Sequence, residues 1–323
     1  MIQNLSAFRS SIVIRQCRSG VQLEIGNRGI LNAFGAYLIW GLVPIYWKLI
    51  KHVPAIQLIG HRIVWSFILL AVFLLLTRKW PELCSMTSNR KVIRIYLVAA
   101  VLVGFNWFIY VWAVTAGYIV EASLGYFINP LLSVLLGVIF LRERLRLYQW
   151  ISIALAGVGV VYLTIIYGRL PWIALGLAFT FGFYGLVKKT APLSSMYGLT
   201  LESGFLFLPG ILFLGCQDWI GQGAFLHTGF RSDLLMAGAG LITTVPLLMF
   251  SYAAQRIPLT TIGIMHYITP TCQFLLGVLI YGEAFDAARG LGFGLVWIAL
   301  IIFCFESYLF HRTIPAKTTL ELR

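Results

Sequence analysis

Of the 323 residues, 60% are hydrophobic and only 11% are charged, less than half of the roughly one quarter that a water-facing surface carries. That balance excludes an ordinary soluble domain and leaves lipid as the medium for most of the surface. The net charge of +13 suggests nucleic acid in a soluble chain, but here the basic residues sit in short loops between apolar runs, where they report topology. No nucleic-acid partner is expected.

Residues 1–28 carry Arg9, Arg15, Arg18 and Arg28 against one acid, Glu24, with no apolar run long enough for a signal peptide. They read as a disordered basic tail. Apolar stretches of spanning length, roughly 17–25 residues, then recur at 30–50, 56–77, 95–116, 118–141 and 147–166. A second series follows at 170–187, 199–216, 234–254, 259–281 and 288–309, and a short tail closes the chain at 312–323. The expected fold is therefore an all-α integral membrane protein of ten transmembrane helices. With the N-terminus in the cytoplasm, most of the lysines and arginines fall on the cytoplasmic side, including Arg78, Lys79, Arg90, Lys91, Arg94, Arg142, Arg144, Arg146, Lys188 and Lys189. The positive-inside bias puts both termini there.

Shifted by 140 residues, the chain matches itself. Leu135-Leu136-Gly137-Val138 falls on Leu275-Leu276-Gly277-Val278, Glu143 on Glu283, and Asn129-Pro130 on Thr269-Pro270. Shared Pro, Gly and Glu in one register are harder to obtain by chance than apolar identities. A repeat of five spans is odd-numbered, so its two copies, 29–167 and 168–311, enter the membrane in opposite orientations. The charges agree, since Arg142-Glu143-Arg144 loses its arginines in Gly282-Glu283-Ala284. Inverted repeats are an architecture of secondary transporters, in which one half rocks against the other about a central site.

The decapeptide Glu121–Pro130, EASLGYFINP, resembles the signature stretch of RarD-type proteins in the EamA branch of the drug/metabolite transporter superfamily. So do Tyr37-Leu38-Ile39-Trp40-Gly41, His61-Arg62-Ile63-Val64-Trp65-Ser66 and Thr243-Thr244-Val245-Pro246-Leu247-Leu248, and the likeness covers residues 29–311. The resemblance implies a multi-pass protein of the bacterial inner membrane with two EamA repeats.

Ionisable groups inside spans cost about 2.5–3.5 kcal/mol at mid-membrane on insertion scales, so each needs a reason. Glu121 opens a polar stripe with Gly125, Asn129 and Ser133 at i+4 steps. It reads either as a proton or substrate site or as an acid favoured by a helix N-terminus. Arg62 either snorkels to the headgroups or pairs with Glu121 or with Glu202, its partner in the repeat register. His266 replaces Tyr126 in the second copy and suits proton coupling, although a packed histidine fits as well. Tyr37, Trp40, Asn106, Tyr110 and Tyr126 are cavity-lining candidates, and Pro44, Pro130, Pro246 and Pro270 are candidate kinks or hinges. Gly290 and Gly294, like Ala100 and Gly104, have small-xxx-small spacing that suits close helix contact within the chain or across a homodimer.

The five cysteines are scattered without metal or redox spacing. There is no phosphate loop, no His-Glu-x-x-His and no nucleophile elbow, so neither an enzyme nor a cofactor is expected. The reading is a secondary active transporter that moves a small organic solute by alternating access, driven by protons or by exchange, in contact with membrane lipids. The alternatives are a passive channel or regulatory subunit and, further off, an intramembrane lipid-modifying enzyme.

Overall fold

The structure is a computed structural model. Its backbone is described for residues 2–116, 118–168, 170–280 and 287–320, and its side chains for 26–113, 116, 118, 122, 124–166, 168, 170–280, 290–292, 294–306 and 309. Among these residues all regular structure is helical. The elements are α1 (Ile2–Leu49), α2 (Ala55–Leu76), α3 (Trp80–Met86), α4 (Arg90–Thr115), α5 (Ile119–Leu141) and α6 (Leu147–Tyr167). Then come α7 (Trp172–Thr190), α8 (Ser195–Trp219), α9 (Phe230–Ala254), α10 (Leu259–Met265), α11 (Ile268–Leu275) and α12 (Ala287–Leu320).

Eight stretches are long and apolar enough to cross a membrane by length and composition: Gly26–Leu49, Ala55–Leu76, Arg90–Ala113, Leu124–Leu141, Leu147–Ile166, Ser195–Trp219, Phe230–Ala254 and Leu259–Ile280. The segment expected at 170–187 forms α7, a 19-residue helix ending in Lys188 and Lys189, and it falls outside the eight. Gly290–Glu306 is a shorter apolar helix. Outward faces are apolar: Leu76, Ile139, Ile165, Leu212, Leu279 and Ile301 are each well exposed. Contiguous apolar surface of this kind belongs against lipid.

Local chemistry sets the helix ends. Pro54, Pro171 and Pro258 immediately precede α2, α7 and α10, where a missing N–H costs nothing. Gly168 closes α6 in the left-handed conformation at φ 79°, which suits a residue without Cβ. The stretch Leu259–Ile280 is not one straight helix. It breaks at His266 and Tyr267 and ends in a π-helical segment, Leu276–Ile280. Pro270 cannot donate to the His266 carbonyl, which accepts instead from the Thr269 N–H at 3.1 Å. The kink expected at this proline is thus a full interruption one turn before it.

The main core is built around Tyr37, Leu136, Tyr184, Leu199, Leu247 and Phe250, drawn from α1, α5, α7, α8 and α9. Small residues let helices approach closely. A Cβ on Gly240 of α9 would lie 2.6 Å from the backbone carbon of Trp65 in α2, and Ser66 Oγ donates to the Gly240 carbonyl at 3.1 Å across the same contact. A second core joins Phe127, Ala156, Tyr267 and Val296, and through it α6 and α12 pack at the side of the bundle.

Candidate functional site

A cavity of about 140 Å³ lies among α1, α2, α4, α5, α7, α9 and the α10–α11 break. From α1 come Trp40, Pro44 and Trp47, from α2 Arg62, and from α4 Asn106, Trp107 and Tyr110. From α5 come Gly125, Tyr126 and Asn129, from α7 Leu177 and Phe181, and from α9 Thr243 and Leu247. His266 sits at the break, followed by Thr269 and Gln273 of α11. None of the described residues of α6, α8 or α12 lines it.

Arg62 is the one cationic side chain among these lining residues. Its Nε donates to Thr243 Oγ1 at 2.9 Å, and Thr243 in turn donates its hydroxyl to the Ala239 carbonyl at 2.8 Å. The guanidinium lies over the rings of Trp107 and Trp47, 4.8 and 5.3 Å from their centroids. Such cation–π contacts contribute about 0.5–2 kcal/mol each, comparable with the cost of inserting the charge, about 2.5–3.5 kcal/mol. Arg62 thus faces the cavity, and its Nε hydrogen bond goes to Thr243 and not to Glu202.

Glu202 has its own partners. Its carboxylate accepts from Lys188 Nζ at 2.6 Å and from the Tyr184 hydroxyl at 2.9 Å, with both charged side chains 1% exposed. It borders a second, much smaller cavity of about 10 Å³, divided from the first by Trp107 and Leu247, which line both. Lys188, which in the sequence marks topology at a helix end, is thus a buried counter-ion. The signal for it is Glu202 itself: a carboxylate in an apolar helix needs a cation within reach.

His266 stacks on Tyr37, with ring centroids 4.7 Å apart, and meets Phe181 edge-on at 5.5 Å. Tyr37 is fully buried behind His266, so it supports the cavity wall and does not line it. Tyr110 and Tyr126 meet edge to face at 6.0 Å. Asn106 Nδ2 donates to the Leu177 carbonyl and to Thr180 Oγ1, both at 2.9 Å. Asn129 Oδ1 accepts from Ser133 Oγ at 3.2 Å, a bond along the polar stripe read from α5. The side chain of Glu121 lies outside the described residues.

Of the four intramembrane prolines, Pro44 borders the cavity, whereas Pro130, Pro246 and Pro270 do not. Pro44 cannot bond to the carbonyl four residues before it, that of Trp40. Gln273 Nε2 donates to that carbonyl at 3.3 Å, and the neighbouring Tyr37 carbonyl accepts from Thr269 Oγ1 at 2.9 Å. The proline-containing stretch of α1 is thereby stitched to α11. Trp47, Trp107, Thr243, Thr269 and Gln273 escape sequence reasoning, because each acquires its role from a partner far along the chain. Among the described residues no group of three or more His, Cys, Asp or Glu could hold a metal ion.

The family model described as "EamA-like transporter family" matches residues 27–165. A protein named RarD from Streptomyces exfoliatus is 44% identical over 86% of this chain and 89% of its own length. RarD from Escherichia coli K12 is 42% identical over 88% and 97%. YojE of Bacillus subtilis, called an uncharacterized transporter, is 41% identical over 88% and 96%. A crystal structure 18% identical in sequence has the same fold, with a TM-score of 0.63 over 85% of this chain and 96% of that one. This chain is a multi-pass membrane protein of the EamA transporter family, and within it a RarD-type protein.

Proposed function

We propose that the chain is a secondary carrier that moves a small organic solute across the bacterial inner membrane by alternating access. Its ten spans, with α7 and the last apolar helix included, form two inverted five-helix repeats, residues 29–167 and 168–311, and both termini are cytoplasmic. The observation that carries the reading is the make-up of the cavity. Trp107 and Leu247, Tyr126 and His266, and Asn129 and Thr269 are pairs separated by the 140-residue repeat offset, and all six residues line it. Two copies related by an axis in the membrane plane bring equivalent residues together only beside that axis. A cavity on the axis is therefore one that either half can open.

Arg62, Asn129 and His266 contact the solute, and protons drive the cycle through Glu121 and His266. Glu202, locked to Lys188, holds α7 against α8 during the movement. The test is counterflow in proteoliposomes preloaded with a cell extract, followed by flux under an imposed pH gradient. A carrier gives saturable exchange with trans-acceleration, whereas a pore gives linear, unaccelerated flux. Gradient-driven flux that survives Glu121→Gln unchanged contradicts the coupling role.

A further inference from the structure

The cavity contains a charge with no counter-charge among the described residues. Arg62 has no carboxylate within ion-pair distance among the described residues, and no described Asp or Glu lines the space it faces. Its Nε is committed to Thr243, while its terminal nitrogens have no protein partner and are not sealed from the cavity. Elsewhere this fold pairs its buried charges closely, as Lys188 with Glu202 shows at 2.6 Å. A guanidinium held by one edge and two indole faces, with its donor fork left over, is built to receive an anion.

We infer that the solute is a compact organic acid whose single carboxylate binds the free edge of Arg62. This rests on the carrier reading and assigns it a substrate class. One guanidinium neutralises one charge; a doubly charged phosphate would leave a net negative charge facing a wall whose described residues include no other lysine or arginine. Beside its polar groups the wall carries the rings of Trp40, Trp47, Trp107 and Phe181, which offer the body of the solute an apolar surface. A volume of about 140 Å³ is close to that of the roughly 150 Å³ cavity known to admit benzene. It fits one ring or a branched chain.

The test uses purified full-length protein and its intrinsic tryptophan fluorescence, because Trp47 and Trp107 flank the bound charge. Benzoate, its neutral isostere benzamide, and phenyl phosphate are titrated separately at neutral pH. Benzoate saturates, benzamide binds at least about tenfold more weakly, phenyl phosphate falls below benzoate, and Arg62→Gln loses about tenfold or more in benzoate affinity while Arg62→Lys keeps part of it. Benzamide binding as tightly as benzoate, no binding of benzoate, or an Arg62→Gln variant that binds benzoate like the parent overturns the inference. Phenyl phosphate binding more tightly than benzoate overturns the choice of a single carboxylate. The benzoate–benzamide comparison uses the unmodified chain, so a variant that fails to fold leaves it decisive. Counterflow of neutral solutes without anion preference sinks the inference and leaves the carrier reading intact. Benzoate binding at Arg62 without exchange of any solute does the reverse.

Discussion

Tyr267 donates its phenolic hydroxyl to the Phe127 carbonyl at 3.2 Å, and the two residues stand 140 positions apart, the offset at which the chain matches itself. Both side chains are buried in one apolar cluster, where α5 meets the start of α11. On the proposed reading this is a contact at the pseudo-twofold axis. Tyr267→Phe removes the hydrogen bond and keeps the ring, so it should cost about 1 kcal/mol. Thermal unfolding in detergent should register a fall of a few degrees, without loss of the folded species.

Glu143 clamps the same seam from its far end. Its two carboxylate oxygens accept from the Leu259 and Thr260 N–H groups at 2.7 and 2.9 Å, capping α10 where the unpaired amides and the helix dipole favour negative charge. Glu143→Gln retains one acceptor and Glu143→Ala none. The expected order of Tm is parent, then Gln, then Ala, with Ala costing about 1–2 kcal/mol. Equal melting of all three proteins would contradict the clamp.

The Lys188–Glu202 pair predicts strong non-additivity. Removing one partner strands a buried charge, which costs about 3–5 kcal/mol, whereas replacing both with apolar residues of similar volume is often close to neutral. Lys188→Met and Glu202→Met should each lower Tm sharply, and the double variant should recover most of the loss. A double-mutant cycle reads this directly. Additive losses would mean that the two side chains do not interact as the 2.6 Å distance indicates.

Pro44 and Gln273 should be coupled in the same way. Gln273→Leu leaves the Trp40 carbonyl without the donor it now has, at a cost of about 1–3 kcal/mol for an unsatisfied buried group. Pro44→Ala restores the backbone N–H that serves this carbonyl in a regular helix. Gln273→Leu should therefore be less damaging in a Pro44→Ala background than in the parent. Expression level and Tm of the four proteins check it.

Much of this was legible in sequence, and what was not has a common cause. Apolar runs set the helices because lipid demands long, self-bonded segments, and Tyr126, Asn129, Arg62, Asn106 and His266 do come together around one cavity. Periodicity carries no information about which helix faces which. It could not reveal that Arg62 reaches Thr243, 181 positions away, or that the Trp40 carbonyl is served from position 273. Arg62 and Glu202 share a repeat register, yet each finds a different partner. Repeat symmetry relates equivalent backbone positions and does not require the two side chains to meet. The carbonyl freed by Pro44 was readable from the sequence; the side chain that satisfies it was not.

The central claim is that the cavity opens alternately to the two faces of the membrane. It is tested by single cysteines at Asn129 and Thr269, which line the cavity from α5 and α11, in a background with Cys17, Cys84, Cys216, Cys272 and Cys304 replaced by serine. A membrane-impermeant thiol reagent is applied to right-side-out and to inverted vesicles. The account predicts that both positions are modified from both faces, and that conditions favouring one face protect against the other. Modification from one face only, under every condition, would contradict it.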